Sequence, residues 1–232
     1  NILKARIGNI TKAGNLLKKG LSTLTIERHY LNAMNKYFSN IRFDMIIYST
    51  PPITFERVIS YYKKRHKGIT YLMLKDIFPQ NAVDLGMMRK GGILWRYFRN
   101  KEKRLYKNSD FIGCMSQGNV DYLLEHNPYL DKNKVEIFPN AIQPIPKAIK
   151  NTKNNTLLKK YGVPHDSILF VYGGNLGKPQ GIDYLLKIID EFHKVDNSYL
   201  LIIGSGTEYQ KIKDHIDGSA PSNVALLSRL PK

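Results

Sequence analysis

Short apolar runs that end in glycine or proline, each followed by a segment of helical periodicity, constrain this chain more than any other feature. The sharpest case is Phe170-Val171-Tyr172-Gly173-Gly174-Asn175-Leu176-Gly177-Lys178-Pro179-Gln180-Gly181. Here an apolar run enters a glycine-rich turn, and a helix is predicted from Ile182. Glycines let a backbone approach an anion closely, and a helix start offers unpaired N–H groups and the positive end of its dipole. Lys178 adds a mobile cation. A tight strand-to-helix turn can use glycine without binding anything, so this motif alone leaves both readings open. A second turn of the same kind, Tyr199-Leu200-Leu201-Ile202-Ile203-Gly204-Ser205-Gly206-Thr207-Glu208, favours a ligand. In open parallel sheets sites lie beyond the carboxyl ends of the strands, and both turns would share that edge.

The same rhythm runs through the chain. The first forty residues read as helical, interrupted by Gly14 and Gly20. Strands are predicted at 43–48, 70–74, 111–115 and 134–138, with a helix capped by Thr54, a basic helix over 87–107 and a helix over 119–125 between them. Pro139, Pro144 and Pro146, then a Lys- and Asn-rich stretch to Lys160, read as a surface linker. Beyond it come strands at 167–172, 199–203 and 224–227 and helices at 182–192 and 208–216. The expected architecture is α/β: two Rossmann-like parallel-sheet domains, 1–143 and 144–232, facing a cleft.

At 42% hydrophobic, the 232 residues suffice for one large core or two modest ones. No apolar run approaches the roughly 18 to 20 residues that span a bilayer, and the start lacks the apolar segment of a secretory signal. The single Cys114, within an apolar run, reads as a buried thiol in a reducing compartment. The histidines show no metal-ligand spacing, and no Asp-x-Asp is present to hold a divalent ion beside a diphosphate.

A net charge of +17 demands anionic ligands, an anionic surface or nucleic acid. The charge is densest over 87–107, where Arg89, Lys90, Arg96, Arg99, Lys101, Lys103, Arg104 and Lys107 accompany one acid, Glu102. Trp95 and other apolar groups are interleaved. Cations for headgroups and an aromatic body for their boundary suit a membrane surface, with Arg89, Lys90, Trp95, Arg96, Arg99 and Lys103 as the contact residues. A packed helix with a solvated basic face fits the pattern equally. Nucleic-acid binding is set aside, because no recognised binding motif accompanies the charge.

The ordered series Asp44–Pro52, Asp76-Ile77-Phe78-Pro79, Phe138–Ile142, Gly174–Gly181 and Ile203–Gly206 resembles the retaining glycosyltransferases of the GT-B fold, family four, especially those that use UDP-sugars to build lipid-linked surface glycans. The resemblance implies an acceptor-side first domain, a nucleotide-sugar-binding second domain and catalysis without an obligatory metal. Gly173, Gly174, Asn175, Lys178, Gln180, Gly204, Gly206 and Leu230 would then bind the donor. Lys178 would neutralise the leaving diphosphate, and Asp76 would be the polar residue on the acceptor side, with a turn or cap as its alternative role. The implied partners are a nucleotide-sugar, a lipid-linked or glycan acceptor and an anionic membrane on the cytoplasmic face.

The chain also departs from that pattern. Asn175 and Gln180 stand where many relatives carry Arg and Lys. The family's first strand and its Glu-x7-Glu motif are missing, so both domains read as incomplete, and the chain as an inactive internal piece of a longer protein. A non-catalytic docking subunit is the competing expectation. A sugar-nucleotide epimerase ranks lower, since no converging acid/base set can be placed.

Overall fold

The computed structural model describes residues 16–144 and 155–230. They form two compact units that divide between Pro144 and Ile145. Gly14, the first part of the expected N-terminal helical region, linker residues 145–154 and the last two residues lie outside the described residues.

The described part of unit 1 begins with helix α1 (Leu16–Tyr37), which runs through Gly20. It carries a parallel sheet in the order β1 (Met45–Thr50), β2 (Ile69–Leu74), β3 (Phe111–Cys114) and β4 (Val135–Ile137). Helices α2 (Glu56–His66), α3 (Gln80–Asp84), α4 (Ile93–Asn108) and α5 (Gln117–His126) connect the strands. Unit 2 comprises α6 (Asn155–Lys160), β5 (Ile168–Asn175), α7 (Ile182–Phe192), β6 (Ser198–Ser205), α8 (Tyr209–Ser219) and β7 (Val224–Leu227), with a parallel sheet ordered β5-β6-β7. The architecture is therefore α/β with parallel sheets, as the alternation of elements predicts.

Each core follows from periodicity. Thr70, Leu72 and Leu74 point to one face of β2 and are buried, alongside Ile112 and Cys114 of β3 and Leu105, Tyr106 and Leu123 of the helices. In α7, Ile182, Leu185, Ile189 and Phe192 recur at three- and four-residue spacing and pack against Leu200 and Ile202 of β6. Cys114 is fully buried, and burial pushes its thiol up to about 11, so it stays protonated at neutral pH.

Several expectations are corrected. Gly173 and Gly174 do not form a turn: β5 runs through them, and Gly174 pairs with Gly204 and Asn175 with Ser205. The ladder overrides the weak strand preference of glycine. The turn comes later, as a 3-10 segment at Lys178–Gln180 followed by Gly181 at φ +64°, which begins α7. Thr54 caps nothing; it is buried in the 3-10 turn Ile53–Phe55, and its hydroxyl has no partner. The basic helix begins at Ile93 rather than Met87, because Gly91 at φ +78° and the extended Gly92 break the chain before it. Helix α5 starts earlier than expected, at Gln117, where Ser116 Oγ accepts the Asn119 N–H at 3.3 Å.

Two charged nodes tie unit 1 together. Lys101 of α4 is buried, with Nζ 2.9 Å from Glu56 and 3.7 Å from Glu27, which joins α4 to α2 and α1. Burial raises the Glu27 pKa, although the Arg57 N–H and Lys101 oppose the shift. At the start of β3, burial also pushes the Asp110 carboxyl upward. Lys63 Nζ at 2.7 Å, the Thr70 N–H at 2.9 Å and Thr70 Oγ1 at 2.8 Å outweigh it and hold Asp110 below its usual value.

A depressed carboxylate stabilises the fold above its unfolded pKa of about 4, and that contribution is lost as pH falls through the lower folded value. Thermal melts of Asp110→Asn should therefore show a lower Tm at pH 7 and a smaller further loss between pH 5 and 3 than the wild type. Lys101→Met leaves two buried carboxylates facing each other and should cost about 3 kcal/mol in denaturant unfolding.

Candidate functional site

The site in unit 2 is built from the carboxyl ends of its strands. Gly173, Gly174 and Asn175 of β5, Ile203, Gly204 and Ser205 of β6, and Arg229 with Leu230 after β7 surround a cavity of 370 Å³. The glycines here are of two kinds. A Cβ on Gly204 would fall 2.2 Å from the Gly174 carbonyl oxygen, and one on Gly206 would fall 2.1 Å from that of Leu176. Those two glycines allow the chain to pack on itself. A Cβ on Gly173 or Gly174 would meet nothing within 4 Å, so the backbone there is open to a visitor.

Arg229 is the one cation on this wall among the described residues. A planar guanidinium can donate two parallel hydrogen bonds, the geometry that a phosphate accepts. Sequence reasoning passed over it; its signal was its place, two residues after the last residue of a strand in a parallel sheet.

Of the predicted donor residues, the structure brings together Gly173, Gly174, Asn175, Gly204 and Leu230. Gly206, Lys178 and Gln180 are not on that wall. Lys178 is exposed at the start of the 3-10 turn, where its charge helps Lys211 lower the Asp183 pKa; the Lys211 hydrogen bond of 2.5 Å to Asp183 is the larger cause. Asn175 Nδ2 donates to Gln180 Oε1 at 3.0 Å, and the pair closes over Gly177. The two positions expected to lack cations are thus bonded to each other.

In unit 1, a 370 Å³ hollow lies beyond β2 and β3. Asp76 is on its wall, with Asp84 and Asn81 of the α3 region and Tyr122 of α5. The Asp76 backbone carbonyl accepts Thr50 Oγ1 at 3.2 Å, and no side chain caps α3, so Asp76 is not a helix cap. Asn81 Oδ1 is buried without a partner, and Asp84 accepts from Gln80 Nε2 at 2.7 Å. Asp84 was not singled out from the sequence, where nothing distinguishes it from a solvated helix carboxylate.

The basic stretch divides. Arg99 does not belong to a free surface: its guanidinium bonds Glu102, the His126 carbonyl at 2.9 Å and Asn127 Oδ1 at 2.7 Å. Burial raises the Glu102 pKa, although Tyr106 and Arg99 oppose the shift. Trp95 is half-buried, and Phe98 packs edge-on to Phe78 at 5.0 Å. The exposed apolar groups are instead Ile93 (88%), Met87 (69%) and Leu94 (63%), with exposed Arg89, Lys90 and Arg96 near them in sequence and Lys103 further along α4.

Among the described residues, no helix is long and apolar enough to cross a membrane, and no cluster of His, Cys, Asp and Glu could hold a metal. No family model matches the chain. A probable glycosyltransferase, WbjE of Pseudomonas aeruginosa, is 24% identical over 164 residues, 69% of this chain and 39% of WbjE. The trehalose 6-phosphate synthase of Burkholderia multivorans superposes with a TM-score of 0.63 at 11% identity, over 94% of this chain and 53% of that one. Anabaena HepE, solved with UDP, gives 0.59 at 12% identity, over 91% and 54%.

The fold is that of the GT-B glycosyltransferases, in two Rossmann-like halves. The chain spans about half the length of these structures and less of WbjE.

The two kinds of glycine separate in mutants. Gly204→Ala should destabilise unit 2 by about 1–3 kcal/mol through overpacking against backbone. Gly174→Ala should leave the melting temperature near that of the wild type while occluding the cavity, which calorimetric titration of nucleotides would register as weaker binding.

Proposed function

We propose that the chain is part of a retaining glycosyltransferase of family four. In this reading unit 2 binds a UDP-sugar, and unit 1 receives a lipid-linked or glycan acceptor in surface-polysaccharide synthesis. The observation that carries it is the cavity at the ends of β5 and β6, with an open glycine backbone on one side and Arg229 on another. Open backbone lets a diphosphate approach closely, and a guanidinium stabilises the charge that develops on it as the sugar departs. That role passes from Lys178, which is off the wall, to Arg229. The UDP bound to HepE and the name of WbjE support this reading.

In the proposed reaction the acceptor hydroxyl attacks the sugar on the face that the diphosphate leaves. The departing phosphate takes the proton, no metal is obligatory and the anomeric configuration is retained. Asp76, with Asp84 across the same hollow, lies on the acceptor side and orients a sugar hydroxyl. Asn81 Oδ1 supplies an acceptor still in need of a donor. Exposed Ile93, Leu94 and Met87, flanked by cations, suit peripheral contact with the cytoplasmic face of an anionic membrane.

One observation favours the docking-subunit reading. The Asn175–Gln180 bond occupies the positions where catalytic relatives would place cations.

Titration of UDP, UDP-GlcNAc and GDP into the intact protein, with a chelator present, separates the two readings. The transferase reading expects UDP to bind, Arg229→Ala to weaken it about tenfold or more, a loss of about 1.4 kcal/mol, and Lys178→Ala to weaken it less. Absence of nucleotide binding would transfer the assignment to the docking subunit.

A further inference from the structure

A second cavity in unit 1, of 260 Å³, lies between the start of α3, helix α4 and the end of α5. Trp95 and Tyr122 form part of its wall, and Lys90, Arg99 and Lys103 supply its cations. It is distinct from the hollow of Asp76, although Ile77, Gln80 and Tyr122 border both.

The charges here are unequally committed. Glu102, the carboxylate on the wall, is engaged by the Arg99 guanidinium and by the Tyr106 hydroxyl at 2.7 Å. Arg99 is in turn held by the His126 carbonyl and Asn127, so its position is fixed. Lys90 and Lys103 are exposed and form no ion pair among the described residues. The cavity therefore keeps two free positive charges beside a neutralised pair.

A donor is also in surplus. Trp95 Nε1 is buried and has no hydrogen-bond partner. A buried indole N–H without an acceptor is rare, and the Trp95 ring itself lines the cavity. Tyr122 stacks on His126 with ring centroids 4.0 Å apart, which gives the wall a flat aromatic face.

We propose that this cavity binds a phosphate group, its oxygens taken by Lys90 and Lys103 and its organic part resting on the aromatic wall that includes Trp95. Phosphate fits better than a single carboxylate, because its second negative charge matches the second cation. Its use as the anchor of a phosphate-bearing acceptor rests on the transferase reading; phosphate binding itself does not. The phosphate belongs either to a soluble ester or to a lipid headgroup.

Trp95 is the only tryptophan in the chain, so its emission reports on this cavity. In the intact protein, the difference spectrum against Trp95→Phe isolates that signal. Inorganic phosphate and glycerol 3-phosphate are titrated at constant ionic strength in chloride, followed by vesicles of phosphatidylcholine with and without phosphatidic acid. A saturable change is expected in the wild type, with the Lys90→Ala/Lys103→Ala double variant requiring at least tenfold more ligand. Response to the soluble phosphates assigns an ester; response to phosphatidic acid vesicles alone assigns a headgroup. No saturable change with any probe, or an equal change in the double variant, overturns the proposal. UDP titration of the wild type keeps the two readings apart: retained UDP binding with a Trp95 signal silent to every phosphate probe refutes this inference alone.

Discussion

The approach of β6 to the tail of β5 governs what unit 2 can be. Gly204 and Gly206 lie so close to the backbone of Gly174 and Leu176 that no side chain could replace their hydrogens without moving the chain. With that contact in place, the Leu176 N–H donates to the Ser205 carbonyl at 3.0 Å and the Glu208 N–H to the Leu176 carbonyl at 2.9 Å. These bonds carry the parallel ladder past the usual end of a strand. Gly173 and Gly174 are then held extended at the cavity with nothing above them. A surface that a phosphate can approach thus depends on two glycines whose missing side chains make room for their own backbone.

Charge in unit 1 follows a similar division between groups that hold the fold and groups left available. Lys101 and Arg99, the most buried cations of α4, are consumed by Glu56, Glu27 and Glu102, and they fix the helix against α1, α2 and α5. Removing such partners is costly because a buried charge has no water to return to. Lys90, Lys103, Arg89 and Arg96 remain free because no acid from another element reaches them among the described residues. The large positive charge of the chain is therefore neither a uniform surface nor wholly structural.

Much of the fold was legible in the residues. Helix α7 and strand β7 begin and end where periodicity places them, because a buried face at three- and four-residue spacing and a short apolar run leave little choice. The glycine segments misled in their local form. Composition reads Gly173-Gly174 as a turn, and only pairing with β6 makes it strand. Trp95 and Arg99 stood in a basic stretch that fits a membrane face or a packed helix equally, and packing turns Arg99 toward the end of α5. Arg229 and Asp84 carried no signal of their own, since a lone charged residue after an apolar run resembles any solvated end.

The sequence by itself determined that the chain is α/β, that its sheets are parallel, and that glycines gather at the carboxyl edge of the second one. Those properties follow from local periodicity and from the few conformations that short apolar runs can share. The tertiary structure decided which glycines face a cavity and which face their own backbone. It also decided which cations are spent on buried acids, and that Arg229 and Trp95 stand at cavity walls. Each of these depends on what lies across from a residue, and that neighbour comes from a distant part of the chain.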